Sequence, residues 1–482
     1  MTRSGSMSGR GRLCALAAAV ALCVGGTAQA EAPEPLRQAA IEAVASHPDV
    51  QQRWHAFLAA GNERDGARGL FLPKVDLNAR GGYHRQRYPR DDFEDFSRNP
   101  RAVDVTLTQM LYDGFGVRSE VVRLSEIQRV RYFELQEASH QAALEAVRAF
   151  ADVQRQRQLV DLAQENYDAH KGVYDQVVEQ TESGVARAVD LEQAAGRLAL
   201  AESNLLTERQ NLHDVNARYY RVVGMAPPPG RVDLQGVFPE ELMPATPAEA
   251  LTAGITMNPG MFASLSNMEA AQQQHNVARA AYHPRVDFQV RHGWSNDMLP
   301  REDVRTIDTL AQVVLTWNLF RGGTDKARVQ QYTEEFDAAR YRQEEVCRNV
   351  RQTVSVAYND IRSLTTQLRF LRQHRNSSDR VRTAYRQQFG IGQRSLLDLL
   401  DTENEYFEAS RAFVNASYDL EIANARALGG MGRLLDALNI ARENMPTAEE
   451  LGLGPDYRID PENVCPPEVP EMVGTRHESI FQ

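Results

Sequence analysis

An internal repeat constrains this chain more than any other feature of its sequence. The segment Phe71–Tyr83, FLPKVDLNARGGY, matches Tyr282–Trp294, YHPRVDFQVRHGW, 211 positions further on. Val105–Gly114 likewise matches Val313–Gly322 at an offset of 208, and that offset then holds over about 120 residues. The fold is therefore predicted to consist of two copies of one unit, joined near Pro227–Pro229.

Each copy contains two segments with the pattern of a strand. Apolar and polar residues alternate along residues 75–83, 103–111, 286–294 and 311–319. A period of two puts apolar side chains on one face and polar side chains on the other, so we predict four strands. Each has about ten residues, which is the length that crosses a bilayer as a tilted barrel strand.

Helical periodicity follows each pair of strands. Apolar residues recur every seven positions, as in a coiled coil, at Leu191, Leu198, Leu205 and Leu212 and at Leu399, Tyr406, Phe413 and Leu420. Between Val346 and Leu371 apolar residues recur at spacings of four and three, so the stretch from Gly322 to about Phe389 is predicted to be one helix of roughly 100 Å at 1.5 Å per residue. A compact domain cannot contain a helix of that length. Glycine-bearing turns at 182–185 and 390–393 then reverse the chain.

The first 30 residues have the pattern of a secretory signal peptide. Three arginines precede an apolar run at 13–24, and Ala28 and Ala30 suit cleavage after Ala30. This run is the only one in the chain that approaches the length of a membrane-spanning helix. The composition, with a mean hydropathy of -0.48, therefore argues against a polytopic helical membrane protein.

The rest of the chain divides into the first copy at 31–229, the second copy at 230–440 and a tail at 441–482. The tail is rich in Pro, Glu and Gly, which predicts a flexible periplasmic segment. Cys347 and Cys465 are too few for a disulfide framework or a cysteine-built metal site. The sequence leaves open whether these two cysteines pair or stay free.

Charge and motifs exclude several classes of function. Three of the 54 Lys and Arg lie in the signal peptide, so 51 basic residues face 65 Asp and Glu in the mature chain. That acidic balance argues against nucleic acid as a partner. Neither a His-Glu-x-x-His nor a Gly-x-Ser-x-Gly motif occurs and the 11 histidines are scattered, so we predict no catalytic residues, no cofactor and no metal site.

Strand number sets the assembly. Strands in lipid cannot leave an edge unpaired, and four strands are fewer than the eight of the smallest usual barrels. One chain therefore cannot close a barrel alone. Two chains would enclose an interior filled by side chains, whereas three chains would supply twelve strands and leave room for a conduit.

The sequence resembles the TolC-type outer-membrane channel proteins over about residues 36–438. The resemblance rests on the tandem repeat, on the strand endings LYDG and LFRG, and above all on Phe389–Asp401, FGIGQRSLLDLLD. It implies a mixed α and β membrane protein. Its homotrimer forms a twelve-stranded β-barrel in the outer membrane of a Gram-negative bacterium, continuous with a long α-helical coiled-coil barrel in the periplasm. Such proteins are channels, not enzymes, and work with a periplasmic adaptor (membrane fusion) protein and an inner-membrane transporter.

The same resemblance assigns roles to single residues. Asp398 and Asp401 match positions that line the narrow periplasmic end of the tunnel, so we expect a pore constriction of acidic rings. Arg394 and Asp190 match positions that tie neighbouring helices into an entrance latch. Phe389 stands where a gating tyrosine is common, which removes a hydrogen bond from the usual latch.

The two turn glycines, Gly184 and Gly392, match the tips of the tunnel mouth, where the adaptor docks. Helices often end in a residue with a left-handed backbone, which glycine adopts without strain. This conformation alone would explain both glycines, without any partner.

The cargo is the least constrained part of the prediction. The stretch at 182–205, ESGVARAVDLEQAAGRLALAESNL, looks more like the branch that serves type I protein secretion, with an ABC-type pump, than the multidrug efflux branch. The alternatives are therefore a drug-efflux channel of the same class and, from the heptads alone, a periplasmic coiled-coil structural protein.

Overall fold

The structure is a computed structural model, in which two long helical hairpins hang from a small antiparallel sheet. It describes residues 32–87, 96–238, 240–296, 305–441, 445–447, 449–454 and 457–468. The predicted signal peptide at 1–30 lies outside the described residues.

One order of elements, helix–helix–strand–strand–long helix–helix, occurs twice along the chain. The first half contains α1 (Glu34–Ser46), α2 (Pro48–Arg68), β1 (Lys74–Gly81), a short hairpin of β2 (His84–Gln86) and β3 (Phe96–Arg98), β4 (Arg101–Tyr112), α3 (Gly116–Glu182) and α4 (Ala188–Val223). The second half contains α5 (Pro247–Met257), α6 (Pro259–Ala280), β5 (Arg285–Ser295), β6 (Thr306–Thr316), α7 (Thr324–Gly390) and α8 (Leu396–Gly430). Two single-turn helices follow, α9 (Leu434–Ala437) and α10 (Pro461–Val464).

The two long helices have equal length. Both α3 and α7 have 67 residues, or about 100 Å each at 1.5 Å per residue, as the periodicity predicts. Each pairs with the following helix as a coiled-coil hairpin, α3 with α4 and α7 with α8. Nearer the sheet, α2 packs against α3, and α6 lies between α3 and α7 because it packs against both.

The four predicted strands form one antiparallel sheet in the order β1-β4-β5-β6. Their connections place all four helix junctions at the same end of the sheet. The prediction for the last strand, 311–319, is shifted along the chain, since β6 begins five residues earlier at Thr306 and ends three residues earlier at Thr316. The β2–β3 hairpin was not predicted, because its two strands are too short and too polar to show an alternating pattern in the sequence.

The register collects most of the apolar side chains of the four strands on one face, whereas Met110, Leu310 and Val314 lie on the other. The apolar face includes Val75, Leu77, Val103, Val105, Leu107, Val286, Phe288, Val290, Trp294, Ile307, Val313 and Leu315. Nothing in the described chain covers this face, and Leu77 is 70% exposed and Ile307 66% exposed. His292 and Thr309 are a polar pair on the same face, and they satisfy each other at 2.8 Å.

The opposite face of the sheet is polar and its side chains pair across the strands. Asn78 donates to Asp104 at 3.1 Å, Arg291 lies 3.2 Å from Asp308, and Gln312 donates to Gln289 at 3.3 Å. One face of the sheet therefore suits lipid and the other suits water.

The main hydrophobic core lies in the middle of the molecule, where α1, α5, α9 and the segment that joins the two halves wrap against the helices. Fully buried members include Leu36, Phe150, Ile255, Leu428 and Leu434. Asn258 caps α6 and also donates to the Gly430 carbonyl at 2.9 Å, so the start of α6 is fastened to the end of α8. None of the helices in the described part of the chain is both long and apolar enough to span a membrane.

The C-terminal segment contacts the helices at several of its described residues, and the flexibility of the predicted tail at 441–482 stays a prediction. Tyr457 stacks on Phe262 with ring centroids 5.8 Å apart. Cys465 is fully buried and forms a disulfide with Cys347 across a Cα–Cα distance of 5.8 Å, which settles the pairing that the sequence left open. One aromatic anchor and one covalent link fasten a segment whose Pro and Gly content alone predicts disorder.

Candidate functional site

The residues with predicted roles gather at the end of the molecule farthest from the sheet, in the two turns and the helix ends beside them. We call this the tip region, residues 173–197 and 385–403. Gly184 and Gly392 turn the chain with φ of 76° and 75°, and a Cβ on either would meet nothing within 4 Å. The left-handed backbone therefore explains both glycines.

The turns expose apolar side chains at the extreme end of each hairpin. Val185 is 78% exposed and Val189 69% beside the first turn, and Ile391 is 70% exposed and Leu397 44% beside the second. An exposed apolar patch rimmed by polar residues is typical of a protein contact surface.

An apolar cluster holds the two hairpins together immediately behind the turns. It contains Val173, Val177, Ala194, Leu396, Leu399 and Leu400, which come from α3, α4 and α8. Phe389 is partly buried against this cluster. Its ring therefore contributes packing at the position where the family resemblance leads one to expect a hydrogen-bonding tyrosine.

Asp190 is held by its own helix end. Its carboxylate accepts hydrogen bonds from Arg187 Nε at 2.9 Å and Nη2 at 2.8 Å, and the backbone N–H of Arg187 closes a capping box at 3.4 Å. The hydrogen bonds from Arg187 lower the pKa of Asp190 from its ordinary value. Asp190 is thus an ionised acceptor.

Arg394 is also held locally. Its Nε donates to Gln388 at 3.0 Å, its guanidinium lies 4.1 Å from the Tyr385 ring centroid, and Nη1 is 3.9 Å from Asp398. Among the described residues of this single chain, Arg394 and Asp190 make no contact with each other. The predicted latch between them can therefore form only across copies or after rearrangement, and it stays a prediction.

The two predicted constriction residues have different partners. Asp398 forms a capping box with Ser395, accepting from its N–H at 3.3 Å and donating its own N–H to Oγ at 3.1 Å. Asp401, one turn on, pairs with Arg197 of α4 at 2.6 Å. Asp398 thus fixes the start of α8, and Asp401 ties α8 to the other hairpin.

Two ionic clusters around buried carboxylates, one at the inner edge of the tip region and one further up the hairpins, were not predicted from sequence. Glu403, whose side chain is 2% exposed, accepts from Arg386 at 2.5 Å and lies 3.7 Å from Arg382. Glu208 accepts from Arg411 at 2.9 Å and from Gln156 at 2.5 Å. Each cluster joins side chains that are distant in sequence, so no local spacing signals it.

Within the part of the chain that the structure describes, no group of three or more His, Cys, Asp or Glu is placed to hold a metal ion.

Comparisons with known proteins agree with this architecture. The sequence profile of the outer membrane efflux protein family matches residues 40–225 and 255–430. The outer membrane efflux protein BepC of Brucella suis is 23% identical over 80% of this chain and 80% of its own length. The outer membrane protein TolC of Escherichia coli is 22% identical over 94% of this chain and 92% of its own. The crystal structure of the Campylobacter jejuni CmeC outer membrane channel superposes with a TM-score of 0.74 at 15% identity, covering 87% of this chain and 89% of that one.

Proposed function

Because this chain belongs to the outer membrane efflux protein family, we propose that it is the homotrimeric exit channel of a tripartite export system. The family places the protein in the outer membrane, with its helical part in the periplasm, and its members are transport channels. These findings set aside the alternative of a periplasmic coiled-coil structural protein. The assembly, the gate, the partners and the cargo are proposals.

The open sheet is the observation that carries the proposal. Strands β1 and β6 each have one edge without a partner in the described chain, and the uncovered apolar face runs across all four strands. Fully burying one Val, Leu or Ile contributes roughly 1.5–3 kcal/mol, and unpaired strand edges are not tolerated in lipid. Three copies would pair every edge, give twelve strands and enclose the polar face around a conduit.

The tip region is the proposed gate. Three copies would bring Asp398 and Asp401 into two acidic rings, and carboxylates about 6 Å apart repel by roughly 3 kcal/mol at an effective dielectric of 20. Such rings attract cations and repel anions. In the closed state Arg394 of one copy would pair with Asp190 of another, in competition with Arg187.

The exposed turns are the proposed docking surface for the periplasmic adaptor. Val185, Val189, Ile391 and Leu397 supply the apolar contact, and Gly184 and Gly392 set the shape of each turn. Adaptor binding would replace the contacts that keep the tips together. The inner-membrane partner is proposed to be an ABC-type transporter.

Type I protein secretion is the favoured cargo class, because the helix after the first turn, at 182–205, resembles the secretion branch. Multidrug efflux is the second candidate, since the family is described as one of outer membrane efflux proteins. A strain that lacks the protein should be assayed side by side for secreted proteins and for drug sensitivity. Loss of one or more secreted proteins with unchanged drug tolerance supports type I secretion, and hypersensitivity with an intact secretome supports efflux.

A further inference from the structure

The C-terminal segment crosses three helices on its way along the molecule. Residues 451–454 and 457–468, which we call the strap, run from α3 over α6 to α7. Arg129 of α3 holds the first end, donating to the carbonyls of Leu451 at 3.0 Å and Gly452 at 3.2 Å. Leu453 is buried beside these contacts in an aromatic cluster with Phe133.

The middle of the strap is anchored on α6. Tyr457 stacks on Phe262 and also lies parallel to Phe133 of α3, with ring centroids 6.4 Å apart. Its hydroxyl is 3.0 Å from the hydroxyl of Ser266, which is 1% exposed. One side chain therefore touches both α3 and α6.

The far end is fastened to α7 by three side chains at successive helix turns. Gln343 donates to the Val464 carbonyl at 3.1 Å, Cys347 carries the disulfide to Cys465, and Arg351 donates to the Pro466 carbonyl. Spacing of four residues puts all three on one face of α7. Cys347 is 5% exposed and Cys465 is fully buried, so the bond is sealed inside this contact.

We propose that the strap is a covalently fastened brace, which holds α7 at a fixed distance from α3 in the half of the helices that is nearer the sheet. Cys347 lies 43 residues above the end of α7, or about 65 Å from the tip. A restraint at that height keeps the sheet ends of the helices in place and confines any movement of the hairpins to the part below it. The brace does not depend on which cargo passes.

Hydrogen exchange of the intact detergent-extracted protein tests the brace. Cys347→Ser, Cys465→Ser and the double variant should all raise exchange at 343–351 and 451–468 by tenfold or more, and to the same level. Reductant under mildly destabilising conditions should do the same to the wild type and add nothing to the double variant. Unchanged exchange at both segments in all three variants would overturn the proposal.

Confinement of movement needs its own comparison. In Arg394→Ser, which loosens the proposed gate, exchange should rise in the tip region and stay unchanged at 343–351 while the disulfide is present. When Arg394→Ser is combined with the double cysteine variant, hydrogen exchange should rise both in the tip region and at 343–351. A rise at 343–351 with the disulfide intact would contradict confinement.

A second strap variant covers the case in which the cysteine variants fail to fold. Gly452 has a φ of 69°, and a Cβ there would lie 3.0 Å from Arg129 Nη2, so Gly452→Ala should loosen the first end and leave the disulfide. Gly454→Ala is the control, because a Cβ there meets nothing within 4 Å. Equal exchange in the two alanine variants would count against the brace.

Discussion

Arg197 of α4 lies 2.6 Å from Asp401 of α8, so one of the two proposed constriction carboxylates also joins the two hairpins of the chain. Both side chains are partly exposed, at 31% and 54%. An exposed pair contributes only about 0–1 kcal/mol, which makes this link easy to exchange during opening. Glu403 differs from Asp401, because its carboxylate is 2% exposed although its partner Arg386 is 54% exposed. Leaving a buried carboxylate without its partner is costly, so we assign Glu403 to the fixed part of the hairpin.

Removing the constriction charges should reduce cation selectivity. Asp398→Asn with Asp401→Asn keeps a capping acceptor at the start of α8 and deletes two negative charges from each copy. Single-channel recordings in a salt gradient should show a reversal potential shifted toward zero and weaker block by divalent cations. Asp419→Asn, which removes an exposed α8 carboxylate paired with Arg155, is the control and should leave both unchanged. Wild-type selectivity and block in the double variant would refute the assignment.

Loss of Arg394 should make the closed channel leak. Arg394→Ser removes the donor proposed to reach Asp190 of another copy, and Phe389 supplies no hydrogen bond in compensation. Mean closed-state conductance in planar bilayers should rise severalfold. Arg380→Ser, at an exposed α7 arginine whose described partner is the Ser377 hydroxyl, is the matched control and should not leak. The latch would be disproved by an Arg394→Ser channel as tight as the wild type.

Acid should destabilise the helical body through His140. Burial lowers the pKa of His140 from 6.5 to about 4, so the unfolded chain binds the proton more readily. The contribution of this pKa shift to the free energy of unfolding is fully present above pH 6.5 and is lost as the pH falls toward 4. It amounts to at most about 3 kcal/mol, of which about 2 kcal/mol is gone at pH 5.

The His140 prediction is checked by thermal unfolding at pH 7.5 and pH 5. His140→Gln should show a smaller drop in Tm between the two pH values than the wild type does. His213→Gln changes an exposed histidine and should keep the wild-type drop. If His140→Gln loses as much Tm as the wild type, His140 is not the group that titrates.

Gly293 should be required for the sheet. A Cβ at this position of β5 would lie 2.5 Å from the Val103 carbonyl oxygen and 2.6 Å from Asp104 Cβ. Gly293→Ala should therefore push β5 from β4 and lower the yield of heat-modifiable oligomer in the outer membrane severalfold. Gly81→Ala places a methyl in open space on β1 and should assemble normally. Equal yields from the two variants would show that the β4–β5 approach is not limiting.

The sequence predicts the parts of this molecule that follow from period and length. Alternation located the four strands, and apolar residues at spacings of three and four after Gly322 located α7, because both periodicities record which face is buried. Gly184 and Gly392 were predictable from the turn chemistry alone.

Contacts between distant segments could not be predicted in the same way. Arg197 stands 204 positions from Asp401, and nothing in either helix pattern specifies their pairing. The strap is held by Tyr457 and by the Cys347–Cys465 bond. Tyr457 and Cys465 are single residues in a stretch whose average composition is typical of a disordered segment, so the composition does not predict their contacts. The proposed partner of Arg394 in the closed channel lies on another copy, so neither the sequence nor one chain fixes it.

The mass of the assembly in detergent tests the central claim most directly. Native mass spectrometry of the mature protein extracted from outer membranes should give a species of three identical chains, because three copies close twelve strands around the polar face. A monomer, or a dimer with no larger species, would contradict the account, since neither could form the conduit on which the proposed export depends.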